Sequence, residues 1–446
     1  MNFLDNIVIP PGTEHAALLN VLQILTLLIF LPFTGMILGG AAISAFYNTK
    51  GKKENNPLLT IFAKDIMHKL LVKRSVGYAF GVLPIATVTI IYAQFLFNAK
   101  IITVNFLMFS TLFYFFAFVF LYRYKNSFYK NIPKSKVLQF FRFTPKEGIN
   151  DGELISFIPS KSGYAYLGIF SLIVGLFLFV CGTTAVTNTE KWFSSAMPQY
   201  IFALPVWANY FYLIFASFSI AGGAILYLFF VWQGGIKNIS EEYSKLIKNS
   251  VIPASLITSI IQPFFLFSGI VLMPANALSA TVYVQTVLAL ISILIVCNLL
   301  YVILKNSEIR FAGAVFFIMF ITFTFAIVKD QLVLGNSVKE HLAGVFVKAE
   351  DMDKQKSTLI ISNTGIDAEQ IFNQKCNACH KFDVKLVGPP YQETIPKYNG
   401  DVKKLSEFIY NPVKVNPDYP AMPNQGLKKK EADAMAQWLL NKVGKK

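Results

Sequence analysis

Charge is what this chain has least of. Only 15% of its 446 residues are Asp, Glu, Lys or Arg, against about 25% in a soluble globular protein. So few charges cannot give a core of this size a water-facing surface. Cysteine is as sparse, with four residues, which excludes a scaffold built on disulfides. Histidine also numbers four, and neither Gly (26) nor Pro (20) is raised, so collagen-like and low-complexity structures are excluded as well. What fills the chain is apolar: 54% hydrophobic residues, 43 of them Phe, and a mean hydropathy of +0.51. That is the composition of a membrane protein.

A helix needs about 20 apolar residues to cross the hydrocarbon core. Eight runs meet that length, approximately 17–46, 76–98, 101–122, 164–187, 206–232, 253–273, 278–304 and 311–328, and none holds Asp, Glu, Lys, Arg or His. The usual intramembrane proton relay or ion site therefore has no residues to build it. The first run is too long, and its flank too poor in base, for a cleavable leader.

The formal charge of +15 is explained by where the bases lie. Residues 50–75 carry seven Lys/Arg and residues 123–162 carry eight. Lys237, Lys245, Lys248, Lys305 and Arg310 extend the same set, and the alternate loops hold only Lys100 and Lys191. Twenty bases on one side against two on the other mark the first side as cytoplasmic. Both termini then lie outside. Because loop topology accounts for the charge, no nucleic-acid partner is expected.

Beyond the last run the chain turns polar. Residues 1–332 read as the transmembrane helical domain, 333–360 as a linker with Gly335 and Asn336, and 361–446 as a small domain. In the last of these, apolar residues recur at helical spacing over 367–379, 402–410 and 428–443.

The chemistry sits in Cys376-Asn377-Ala378-Cys379-His380, the C-x-x-C-H pattern of covalent haem attachment. Two thiols three positions apart on one helical turn can each add to a vinyl group of one porphyrin, and the adjacent imidazole then reaches the iron. A structural zinc site would want two more Cys or His ligands nearby. A thioredoxin-like dithiol would want a strand–helix setting and would have no use for the His. The sixth ligand is sought among methionines, whose soft sulfur raises the potential. Met422 lies in Tyr419-Pro420-Ala421-Met422-Pro423, 42 residues after His380. Met435 competes, but it sits mid-helix among Ala432, Ala434 and Trp438, where it reads as core. Cys181 and Cys297 fall inside apolar runs and read as buried thiols. His15, His68 and His341 lie outside the eight runs and read as interfacial or solvated.

With Gly388-Pro389-Pro390, the Asn411-Pro412 turn, Ala421-Met422-Pro423 and a final helix through Trp438-Leu439, the tail resembles class I cytochrome c over its whole length. The resemblance implies one covalent haem c, thioether-linked to Cys376 and Cys379, with His380 and Met422 as axial ligands of the iron. It implies no catalytic residue.

Parts of the apolar region resemble the large subunit of cytochrome bd quinol oxidases. The similar stretches are Leu31-Pro32-Phe33-Thr34-Gly35-Met36, Phe62-Ala63-Lys64 with Gly77 to Val82, and Ala216-Ser217 through Gly222-Gly223-Ala224. At the family's axial-histidine positions stand Leu27 and Leu213. The third run lacks the family's carboxylates, and the long quinol-binding loop shrinks to about Pro274–Leu278. The resemblance thus implies a scaffold kept without the oxygen-reducing machinery.

The expected architecture is all-α, a bundle of about eight transmembrane helices followed by a small all-α cytochrome c domain. The expected role is electron transfer on the outer side of a bacterial inner membrane. The chain would be a subunit among other redox subunits, between a quinol-oxidising complex and a soluble cytochrome or terminal oxidase. Its other partner is membrane lipid. The first alternative is a quinol–cytochrome c oxidoreductase with quinone bound among Gln23, Gln94, Asn105, Gln262, Gln285 and Asn298. The second is a structural anchor or redox sensor. Reporter fusions test the topology: those placed after Lys245 should report the cytoplasm, and those after Lys446 the outside. A cytoplasmic carboxyl terminus would overturn the loop assignment.

Overall fold

The computed structural model describes residues 8–99, 101–128, 162–189, 192, 197–235, 240–306, 309–363 and 366–443. Lys100, Lys191, Lys237 and most of the basic loop, from Lys130 to Lys161, lie outside the described residues. The chain forms two compact units, Met1–Phe346 and Val347–Lys446. Among the described residues both are helical, without a β-strand.

The larger unit begins with α1 (Thr13–Lys53), α2 (Pro57–Leu70), α3 (Arg74–Gly81), α4 (Leu83–Phe95) and α5 (Thr103–Asn126). It continues with α6 (Ser162–Thr187), α7 (Met197–Ile201), α8 (Leu204–Phe230), α9 (Glu241–Val271), α10 (Ala280–Asn306) and α11 (Ala312–Asn363). Among the described residues, eight stretches are long and apolar enough to cross a membrane, with α3 and α4 together making one of them. They fall on the eight apolar runs. The α3–α4 break comes from Pro84, which has no N–H to carry the hydrogen-bond ladder across the join.

Large apolar side chains point outward as well as inward. On α9, Ile257, Ile260, Phe264 and Phe267 are all more than half exposed. In water such a face would drive association; in lipid it is the solvent-matched side. Where α1 meets α8, the inward face carries a glycine. A Cβ on Gly39 of α1 would lie 2.6 Å from the Ser217 carbonyl oxygen and from Ala221 Cβ on α8. The missing side chain is what lets these two backbones approach, the usual solution in bundles that gain nothing from burying oil in oil.

Polar groups inside the bundle bond across or along helices. Ser219 Oγ on α8 meets Ser259 Oγ on α9 at 2.5 Å. Ser110 Oγ on α5 donates to the Gly175 carbonyl on α6 at 2.7 Å. Ser44 Oγ on α1 donates to the Ala63 carbonyl on α2 at 2.7 Å.

One feature departs from the sequence reading. α11 runs straight through residues 333–360, the stretch marked as a linker. Leu334, Val338 and Val345 are buried at helical spacing, and Asn336 Nδ2 donates to the Ala277 carbonyl at 3.0 Å. The helix also carries Lys329 into the packed interior, 2% exposed, with its ammonium 2.8 Å from the Asp330 carboxylate.

Glycine substitutions should separate packing from propensity. Gly39→Ala should cost about 1–3 kcal/mol, since an added methyl forces the α1–α8 contact apart. Gly335→Ala, where nothing lies within 4 Å, should gain up to about 1 kcal/mol through helix propensity. Unfolding of the detergent-solubilised chain measures both, and a neutral Gly39→Ala would refute the close packing.

Candidate functional site

The smaller unit is built from short helices and irregular loops around one aromatic core. α12 (Ala368–Ile371) starts at Asp367, whose carboxylate accepts from Gln370 N at 3.0 Å. It passes into a single π turn, Phe372–Cys376, the kind of local widening that often marks a functional segment. α13 (Tyr391–Thr394), α14 (Val402–Tyr410) and α15 (Lys429–Val443) follow. Phe372 packs on Trp438 with ring centroids 5.1 Å apart, and on Phe382 at 5.4 Å. Ser406 on α14, fully buried, hydrogen-bonds the Asp433 carboxylate on α15. These contacts tie the first and last helices together and leave a cleft between them and the loop 411–428.

That cleft is the site. It is a cavity of about 1350 Å³, larger than the roughly 300–1,000 Å³ of ordinary small-molecule pockets. Cys376, Cys379, His380 and Met422, all singled out by the sequence, line it together. The turn after the π segment sets the two cysteines: Cys379 N and His380 N both donate to the Cys376 carbonyl, at 3.1 and 3.0 Å. Gly388 N then donates to the Cys379 carbonyl at 2.8 Å and brings the next loop against the imidazole. A Cβ on Gly388 would meet His380 Cε1 at 2.2 Å, so only glycine fits this approach.

The imidazole is oriented from two sides. His380 Nδ1 lies 3.0 Å from the Pro389 carbonyl oxygen. A carbonyl only accepts, so Nδ1 carries the proton and Nε2 keeps its lone pair for a metal. Tyr391 stacks on the ring at 5.0 Å with the planes 21° apart. Burial pushes the Tyr391 hydroxyl well above the ordinary tyrosine range. Burial also pushes the Cys376 thiol up, with Cys379 adding to the rise and Lys375 opposing it. A redox-active dithiol shows the opposite trend, a thiol lowered toward the thiolate.

Two methionines line the cleft, from different settings. Met435 is fully buried on α15 within the core formed with Leu405, Ile409 and Leu439, although one edge of it reaches the cleft. Met422 is half-buried on the loop opposite the cysteine turn. The residues present suit a haem: a roomy apolar cleft, two adjacent thiols, an imidazole with a free Nε2 and a thioether on the loop.

Elsewhere the structure gathers less. Among the described residues no three His, Cys, Asp or Glu side chains come together as a metal site. His15 and His68 are exposed, and His341 meets the Trp192 ring edge-on at 5.3 Å. Cys181 is fully buried, Cys297 partly. Of the six polar residues named for a quinone, only Gln23 and Gln262 are buried, while Asn105 and Asn298 face outward, so the six do not converge. Gln262 lines, with Tyr212, Ser219, Ser259 and Thr322, a cavity of about 10 Å³, room for about one water. Leu27 is buried and Leu213 half-buried. The sequence reading named Gly388-Pro389-Pro390, which the structure sets against the His380 ring, but not Tyr391, which stacks on it.

Comparison with known proteins bears on this smaller unit. The family model for cytochrome c matches residues 366–442. Cytochrome c-551 of Pseudomonas aeruginosa is 30% identical over 86 residues, 17% of this chain and 76% of that protein. Cytochrome c-551 of Pseudomonas denitrificans is 36% identical over 76 residues, 16% of this chain and 93% of that protein. No solved structure gives a significant match to the chain. The cleft, its C-x-x-C-H turn and these relatives agree, and through its C-terminal domain the chain belongs to the cytochrome c family.

Proposed function

We propose that this protein is a membrane-anchored electron carrier holding one haem c, bound through thioethers to Cys376 and Cys379, with His380 and Met422 as the axial ligands. The observation that carries the reading is the convergence of these four side chains on one cleft. When bound, the haem supplies a reversible one-electron store. The chain's own residues do the rest. Pro389 and Tyr391 hold the imidazole with Nε2 turned away from the backbone. Ile395, Leu405, Ile409 and Leu439 give the cleft an apolar lining. The Pro-flanked loop holds Met422 with little ordering cost, because Pro420 and Pro423 fix φ on either side.

On this reading the eight apolar helices fix the carrier at the outer face of a bacterial inner membrane. Electrons arrive from a quinol-oxidising complex and leave to a soluble cytochrome or a terminal oxidase. The chain then acts as a subunit of a respiratory or other redox assembly. Positive loops on the cytoplasmic side support this orientation, as does the need to attach haem outside.

Cys376→Ser combined with Cys379→Ser should abolish the haem stain of the chain on a denaturing gel, while a b-type band surviving in that variant would contradict a single haem c. Met422→Ala should remove the sulfur-to-iron absorption at the red end of the ferric spectrum and lower the reduction potential. Met435→Leu should keep both and cost on the order of 1 kcal/mol of stability as a near-isosteric core change. The reverse pattern would move the axial role to Met435.

A further inference from the structure

The loop 411–428 has no helix of its own. Most of its hydrogen bonds are local: Asp418 N to Asn416 Oδ1 at 3.0 Å, Gly426 N to Asn424 Oδ1 at 2.9 Å, and Gln425 Nε2 to the Pro423 carbonyl at 3.2 Å. Asn424 Nδ2 donates to the Tyr410 carbonyl at 3.2 Å and so ties it to the end of α14. None of these bonds reaches across the cleft.

Two lysines do. Lys375, one residue before Cys376, donates from Nζ to the Gln425 carbonyl at 3.0 Å. Lys385, in the turn after His380, sets its Nζ 4.6 Å from the centre of the Tyr419 ring. The two contacts bracket Met422, one three residues before it and one three residues after. Both arise from the segment that carries the attachment cysteines and the proximal imidazole. One element thus holds the near side of the cleft and, through two ammonium groups, grips the loop on the far side.

We propose that Lys375 and Lys385 are positioning residues that clamp the Met422 loop across the cleft and keep the thioether on the iron. The proposal rests on the axial role given to Met422 above. Without the clamp the loop is held by its own turns and by Asn424, and the methionine leaves the iron more often. A ligand competing for that coordination position then binds more tightly, because it displaces a less populated bond.

Imidazole is the probe, titrated against the ferric, haem-loaded full chain in detergent. Lys375→Met and Lys385→Met should each tighten its apparent binding about threefold, the scale of one exposed cation–π contact or one net hydrogen bond. The double variant should tighten it about tenfold. Lys375→Arg and Lys385→Arg keep a donor and a cation and should match the parent. In a Met422→Ala background, where imidazole binds far more tightly, neither lysine change should add anything. Unaltered imidazole binding in the Lys→Met variants, with Met422→Ala still tightening it, overturns the clamp alone, even if those variants melt earlier. Unaltered binding in Met422→Ala itself overturns the axial assignment and the clamp with it.

Discussion

A bilayer interior contains no water, and the larger unit is organised around that single lack. A crossing backbone has only itself for hydrogen-bond partners, so each span must be helix. The same shortage governs the side chains. Thr34, Thr89 and Thr286 fold their hydroxyls back onto the Phe30, Ile85 and Val282 carbonyls, at 2.7, 2.8 and 2.8 Å. Each satisfies its proton within its own helix, and Thr89 Oγ1 also lies 3.3 Å from Thr111 Oγ1 on α5. Association is left to close contact, which is why glycines such as Gly39 sit where α1 meets α8 and why Ser219 of α8 and Ser259 of α9 face each other.

The smaller unit has water at hand and follows other rules. Its helices are as short as four residues, because irregular loops can bond to solvent where they have no internal partner. Side-chain caps start two of these short helices. Asp367 and Asp401 each accept from the backbone N–H three residues on, both at 3.0 Å. Asn399 in the left-handed region and Gly400 beside it, at φ +79°, reverse the chain into α14. What holds this unit is one aromatic cluster and the cleft's two walls.

Legibility differed between the two units for the same reasons. The eight spans were readable because lipid enforces length and apolarity on every crossing residue, and those survive in a linear pattern. The Cys376–His380 turn was readable because two cysteines and a histidine fall within five positions. Tyr391 against His380 was not readable, since stacking depends on how the loop folds back through the Gly388–Cys379 hydrogen bond. The length of α11 was missed for a different reason. Lys329 and Asp330 look like the end of a helix when only hydropathy is counted, yet the burial of Leu334 and Val338 keeps the helical period beyond them. Charge marked the edge of the apolar layer, not the edge of the element.

That edge can be located from the packing itself. Counting 20 residues from Ile309 at about 1.5 Å each reaches Lys329 after about 30 Å, the thickness of the hydrocarbon core. At that level Lys329 is enclosed while Asp330 beside it is half exposed, so the ammonium is neutralised by a partner that keeps contact with the surface. Gln331 Nε2 donates to Asn20 Oδ1 of α1 at 2.6 Å, placing a second polar pair at the same height. A buried ammonium in mid-core would cost several kcal/mol; with a carboxylate next in sequence and an amide pair alongside, it fits the boundary layer. The same ruler applied to α1 leaves its Lys50–Lys53 end projecting beyond the apolar layer. There it packs on α2, whose Thr60 crowds Gly51 so closely that a Cβ would sit 2.6 Å from the hydroxyl. The charged ends of the spans are therefore structural members of the bundle, each set where the solvent changes.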